Sequence, residues 1–281
     1  LSRVAGKVCV VTGAGSGIGR ALALELAARG ARGLAISDVN ADGLAETARM
    51  LRDGAPVEVH EQTLDVSDRE AMEAYAQAVA GHFGVVHQIY NNAGIAFSRL
   101  VEESTYEDYE RVFGVNLWGV IHGTKAFLPH VIASGDGHVI NISSLNGILA
   151  QNKMSHYCAT KFAVRGFTET LRLEMATAGH RVGVTVVHPG GVRTAIADHA
   201  MEDARRRGLE VTEADERRRR LYNEKILRMS PAKAAKIIVD GVERDKARVI
   251  VGGDARFVDL LVRLAPSVAP RLIAAIDKRM G

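Results

Sequence analysis

Two cysteines in 281 residues leave no material for a disulfide framework. Cys9 sits in an apolar run and Cys158 lies far from it in sequence, which fits a reducing, cytoplasmic compartment. No stretch approaches the roughly 18 consecutive apolar residues of a membrane-spanning helix. Little chain precedes the first strand-like run, so no signal peptide is expected. A net charge of +3 is too small to argue for a nucleic-acid partner. The ten histidines are scattered, with no metal-ligand spacing such as H-E-x-x-H, and no metal is expected. Repeats, low-complexity tracts and dividing linkers are missing too, which predicts a single domain. What is present, 47% hydrophobic and 25% charged residues, suits a globular chain with a sizeable core.

Short β-branched runs alternate with longer segments of helical period. Strands are expected at Lys7–Thr12, Gly33–Ser37, Val57–Thr63, Val86–Asn91, His138–Ser143, Val182–His188 and Arg248–Gly252. Helices are expected between them, among others at Gly17–Arg29, Asp42–Arg52, Asp68–His82, Tyr106–Leu128 and His156–Thr177. Strictly alternating strands and helices predict an α/β fold, a doubly wound parallel sheet of about seven strands covered by helices on both faces. The strands carry apolar residues on both faces, as a buried parallel sheet requires.

After Pro189 the pattern loosens. Residues 195–230 are highly charged, with Arg205–Arg207 and Arg217–Arg220 interleaved with acids. A solvated helical flap is the plain reading and a targeting or nucleic-acid patch the sharper one. From Asp254 an extension begins, with Phe257, Leu260, Leu261 and Leu264 at helical spacing, then Pro266, Pro270 and a second apolar stripe. Such a stripe packs on the body, on a neighbouring subunit, or on a membrane surface.

The stretch VVTGAGSGIGR falls where the first strand gives way to the first helix. Glycines there permit a tight turn and let backbone N–H groups approach a pyrophosphate at the positive end of a helix. Asp38 closes the second strand nineteen residues after Gly19, where a carboxylate can accept from adenosine-ribose hydroxyls and would repel a 2′-phosphate. Ser16 and Val39 supply no cation for such a phosphate, so NAD is expected rather than NADP.

The glycines are spaced Gly13-x-x-x-Gly17-x-Gly19, and with the leading Thr12 they resemble the cofactor loop of the short-chain dehydrogenase/reductase family. Further motifs resemble that family in order: Asp65–Val66, NNAG at Asn91–Gly94, NLWG from Asn116, ISS ending at Ser144, YCATK at Tyr157–Lys161 and PGGVRT at Pro189–Thr194. The likeness spans roughly residues 5–252 and implies a Rossmann-type fold and an NAD-dependent oxidoreductase. It implies cofactor contacts from Gly13, Ser16, Gly17, Ile18, Gly19, Asp38, Asp65, Val66, Asn92, Ala93, Gly94, Tyr157, Lys161, Pro189, Gly190, Val192 and Thr194. It implies catalytic roles for Asn116, Ser144, Tyr157 and Lys161, with Ser144, Leu145 and Tyr157 at the substrate.

The chemistry of those residues agrees. Hydride exchange at an alcohol carbon needs a base for the hydroxyl proton and a group to hold the oxygen. A tyrosine with a pKa near 10 is a poor base at neutral pH. A lysine cation about 4 Å away is worth roughly 4 kcal/mol at an effective dielectric of about 20, about three pKa units. Tyr157 and Lys161, four apart on a helix, share one face. By resemblance Tyr157 is the acid/base, Lys161 lowers its pKa and binds the nicotinamide ribose, Ser144 holds the substrate oxygen, and Asn116 keeps a water-linked proton path. His156 and His188 stand close to these motifs, but the resemblance gives them no chemistry, and they are read as positional. Cys158 points about 100° away from Tyr157 around the helix and is not expected to react.

Substrate contacts are expected from Ala96–Leu100, Leu145–Met154 and Thr194–Tyr222, including the apolar Ile95, Phe97, Leu145, Ile148, Leu149, Met154 and Ile196. They point to a small lipophilic secondary alcohol or its ketone, steroid-like or terpenoid. The alternatives are a ketoreductase working with NADH on another carbonyl, and a protein that senses NAD without turning it over. The resemblance further implies a homo-oligomer, dimer or tetramer, built on the helices around Tyr106–Leu128 and His156–Thr177.

Overall fold

A computed structural model describes residues 3–194, 196–206, 208, 212–213, 216–217, 220, 227 and 229–269. The chain runs β1 (Val8–Thr12), α1 (Gly17–Ala28), β2 (Gly33–Asp38), α2 (Ala41–Gly54), β3 (Glu58–Thr63), α3 (Arg69–Phe83) and β4 (Gln88–Asn91). It continues through α4 (Tyr106–Phe113), a π-helical turn (Gly114–Trp118), α5 (Gly119–Ala133), β5 (Gly137–Ile142), a 3-10 turn (Leu145–Gly147) and α6 (Ser155–Thr177). Then follow β6 (Val182–Pro189), α7 (Ile196–Arg206), α8 (Pro231–Glu243), β7 (Arg248–Val251) and α9 (Gly253–Leu264).

The seven strands form one sheet in the order β3-β2-β1-β4-β5-β6-β7, every described pair parallel. Alternate residues of each strand point to opposite faces, so one strand feeds two cores. Cys9 and Val11 of β1 join Leu22 and Leu26 of α1 and Ile238 and Val239 of α8. Val8 and Val10 face Met72 and Tyr75 of α3, Phe127 of α5 and Leu171 of α6. Helices therefore cover both faces, the Rossmann-type arrangement. Its order reverses between β1 and β4, which opens a crevice at their carboxyl ends.

The expected elements are found with ends moved by at most five residues, and three differences stand out. The edge strand β3 is not buried on both sides; Glu58, Glu61 and Thr63 are exposed and the residues between them half-buried, as an uncovered edge permits. The helix expected over Tyr106–Leu128 is broken by the π-turn, which inserts Asn116 into the interior, and it continues past Pro129 to Ala133. The stripe of α9 does not pack on the body: Phe257, Leu260 and Leu264 are 63%, 55% and 76% exposed. Its second stripe, beyond Pro270, and much of the Arg217–Arg220 run lie outside the described residues. Among the described residues no helix is long and apolar enough to cross a membrane.

Candidate active site

The crevice is built from the ends of β1 and β4. Thr12 Oγ1 accepts from the backbone N–H groups of Asn92 and Ala93 at 3.0 and 3.1 Å, and Asn92 Nδ2 donates to Thr12 O and Gly13 O at 2.9 and 3.2 Å. These bonds lock the NNAG turn to the glycine loop. A β-carbon on Gly19 would collide with the Gly13 carbonyl, so only glycine lets α1 start this close to the turn. Ser16, exposed at the N-cap of α1, makes no side-chain capping bond, and the first turn carries no acid. The N–H groups there are thus available to an anion. Ile18 is half-buried and packs on the core side of the loop.

Asp38, at the end of β2, accepts from Gly15 N–H at 2.8 Å and from Asn40 N–H at 2.9 Å. Each carboxylate oxygen keeps a further lone pair for a ribose hydroxyl. The sequence reading overlooked a cation here. Arg20 reaches the loop, but its guanidinium donates to Gly15 O, Gly43 O and Thr47 Oγ1 and pairs with Glu46 at 2.6 Å. Asp65 is exposed and bonded to Ser67, while Val66 is buried in the core beside Gly119. On the far side, Gly190 N–H donates to Val251 O at 2.9 Å, Val192 is buried and bridged to Met229, and Thr194 stands over Gly17. A cradle of this shape, with an uncapped helix end, an anchored acid and three converging loops, fits a dinucleotide.

Lys161 is 3% exposed and donates from Nζ to Ile142 O at 3.0 Å. Nζ lies 5.6 Å from the centroid of the Tyr157 ring, one turn away on α6. An ammonium has three donors, so this bond leaves capacity for sugar hydroxyls. Burial pushes the lysine down to about 8, which still leaves it mostly charged at pH 7. Asn116, fully buried on the π-turn, accepts from Ile95 N–H at 2.8 Å and donates to Ile95 O at 2.9 Å and Thr160 Oγ1 at 3.4 Å. A β-carbon on Gly94 would stand 3.2 Å from Asn116 Oδ1 and 3.5 Å from Lys161 Nζ, so the bare glycine lets these three groups meet.

Ser144 stands two residues beyond Ile142, the end of β5, with extended backbone, and caps the 3-10 turn by accepting from Asn146 N–H at 3.1 Å. Ser143 ties this segment to α6 by donating to Lys161 O at 2.8 Å. Of the apolar residues expected around a substrate, Phe97, Ile148 and Leu149 are buried, whereas Ile95, Leu145, Met154 and Ile196 are partly exposed. The loops that carry them are joined by a bridge between Arg99 and Met154. Cys158 turns away from Tyr157, its sulfur receiving Gln151 N–H at 3.4 Å, and burial raises its pKa. Arg20, Thr160 and Ser143 fall inside the motifs, which assign them no role; their contacts single them out.

The profile of the short chain dehydrogenase family matches residues 7–205. A Mycobacterium tuberculosis protein named as an oxidoreductase, SadH, is 52% identical over 277 residues, 98% of this chain and 96% of that one. Epidermal retinol dehydrogenase 2 of Mus musculus is 39% identical over 194 residues, 69% of this chain and 62% of that protein. A short-chain dehydrogenase/reductase of Burkholderia phymatum, solved in complex with NAD, superposes with a TM-score of 0.83 at 32% identity, covering 94% of this chain and 96% of that one. A phenol above a buried lysine, facing a dinucleotide-shaped crevice, is thus matched by likeness along nearly the whole chain, which belongs to the short-chain dehydrogenase/reductase family of oxidoreductases.

Proposed function

We propose that this oxidoreductase uses NAD to interconvert a lipophilic secondary alcohol and its ketone, with Tyr157 as the acid/base. The observation that carries this reading is the fully buried Lys161 held 5.6 Å from the Tyr157 ring. A cation held one helical turn from the phenol favours the charged phenolate by Coulomb attraction. Tyr157 takes the proton from the substrate hydroxyl, and the Ser144 hydroxyl holds the same oxygen as it becomes a carbonyl. NAD, when bound, accepts the hydride. Lys161 and Asn116 keep the base charged and placed, and the Ile142 carbonyl fixes the lysine from below.

NAD rather than NADP is supported by Asp38 at the ribose position and by an Arg20 already committed to carbonyls and Glu46. The NAD complex of the Burkholderia phymatum protein agrees. The partly exposed apolar side chains and the likeness to a retinol dehydrogenase support a lipophilic substrate. One catalytic domain with residues 195–230 as flap and 254–281 as extension completes the reading. Exposed Tyr106, Trp118, Phe162 and Leu173 support self-association, and two buried, unpaired cysteines support a cytoplasmic setting.

The test is a panel of terpenoid, steroid and polyol alcohols followed by NADH absorbance, with Tyr157→Phe beside the wild type. Turnover of the lipophilic alcohols alone is expected, and the variant should lose about 10²- to 10⁴-fold in kcat while binding NADH normally. Full turnover by Tyr157→Phe, or oxidation of polyols alone, would sink the proposal.

A further inference from the structure

Ser144 sits where the sheet ends. Ser143 N–H donates to Val187 O at 2.8 Å, the last rung between β5 and β6, and Pro189 has no N–H with which β6 could extend the ladder. Something else must hold the Ser144 peptide. Its carbonyl accepts from Gly147 N–H at 2.9 Å within its own turn, and across the sheet it meets the Nδ1 of His188 at 2.8 Å.

We propose that His188 is a positioning residue for Ser144: its Nδ1–H···O bond, made from the neighbouring strand, fixes the peptide whose side chain holds the substrate oxygen. This rests on the reading of Ser144 given above. A carbonyl oxygen only accepts, so Nδ1 carries the proton and Nε2 the lone pair. His188 is fully buried, and Nε2 has no hydrogen-bond partner among the described residues. A second proton would therefore be placed on a buried, unpartnered nitrogen near Arg248 and Arg165, with Asp259 the nearby acid. Burial accordingly pushes the imidazole down to about 4 and keeps it neutral, while the bond to the Ser144 carbonyl holds it in the Nδ1–H tautomer. Without that bond the Ser144 carbonyl would keep the Gly147 N–H of the short turn that Ser144 itself caps.

The experiment compares His188→Leu, which fills the space without a donor, with His188→Asn, whose Nδ2 sits the same number of bonds from the backbone as Nδ1. Each is made in wild-type and Ser144→Ala backgrounds. Activity is measured with the secondary alcohol best turned over in the panel above, NADH binding by fluorescence, and folding by thermal midpoint. In the wild-type background His188→Leu should lower kcat about 10- to 100-fold with NADH affinity within about twofold, a loss typical of a misplaced reacting group. His188→Asn should recover to within about threefold of wild type. In the Ser144→Ala background, His188→Leu should cost nothing further, since no hydroxyl remains to be placed. Wild-type kcat in His188→Leu, equal damage from Leu and Asn, or an undiminished effect in the Ser144→Ala background would each overturn the proposal. If Ser144→Ala itself turns over normally, the reading of Ser144 fails, and this inference with it. Should the Leu variant not fold, His188→Ala, which leaves a cavity rather than adding shape, carries the same comparison.

Discussion

Asp38 shows how much a single residue can be asked to do. One carboxylate oxygen orders the glycine loop through Gly15 and the other orders the start of α2 through Asn40, so the acid is held rigidly before any ribose arrives. Hydrogen bonds to a charged acceptor are each worth about 1.5–3 kcal/mol. Asp38→Ala should therefore weaken NAD binding about 10- to 100-fold, and lift the repulsion that disfavours NADP, so that the preference between them collapses. Fluorescence titrations with NADH and NADPH check this; a wild-type preference for NADPH would overturn the reading of Asp38. The position of this acid after the second strand was legible from spacing. Arg20 was not, because its side chain is aimed by contacts to Gly43, Thr47 and Glu46 of α2, and no spacing rule foretells which carbonyls a guanidinium will meet.

Among the elements, α9 does more for the site than its place in the sequence suggests. Asp254, in its first turn, accepts from Gly191 N–H at 2.7 Å, and its carboxylate lies against Gly190, where a β-carbon would not fit. The loop from Pro189 to Thr194, expected by resemblance to contact the cofactor, is thus pinned by a helix that starts after β7. Asp254→Ala should loosen the loop and weaken NADH binding about three- to tenfold, whereas Asp254→Asn, which keeps an acceptor oxygen, should stay near wild type. Unchanged NADH affinity in the alanine variant would show that the pin has no bearing on the cofactor. Sequence period located α9 and α6 well. It missed the π-turn at Gly114–Trp118, since one extra residue in a helix shifts the apolar pattern too little to be read, although it is what brings Asn116 to Ile95.

At the scale of the molecule, the sheet buries two imidazoles in neutral form. His138 bonds Thr185 at 2.8 Å and His188 bonds Ser144, and burial depresses each from 6.5 to about 4. Between those values the unfolded chain takes up protons that the native state refuses. Stability is therefore full above about pH 6.5 and falls as the pH drops towards 4, by roughly 3 kcal/mol for each histidine. Against a total of about 5–15 kcal/mol, the two together remove a large share of the stability by pH 4. Urea midpoints measured from pH 7 to pH 4 should fall steeply, and a His138→Gln, His188→Asn double variant should flatten the slope. A slope unchanged in that variant would assign the acid lability to other groups.

The alternation of strands and helices, the glycine turn at the start of α1 and the Tyr157–Lys161 spacing were readable from the chain alone, because each depends on residues near one another in sequence. Period, turn chemistry and spacing are local properties. Tertiary structure decided which groups support the site: Thr12 under the NNAG turn, Asp254 under Gly191, His188 behind Ser144, and the Ile142 carbonyl beneath the lysine. Those partners lie 80, 63, 44 and 19 residues apart. Parallel pairing of β1 with β4 and of β5 with β6 brings the first and third pairs together, and packing of α6 and α9 against the sheet supplies the others. A hydrogen bond between distant residues leaves no periodic trace in sequence, since only the closed sheet sets its distance.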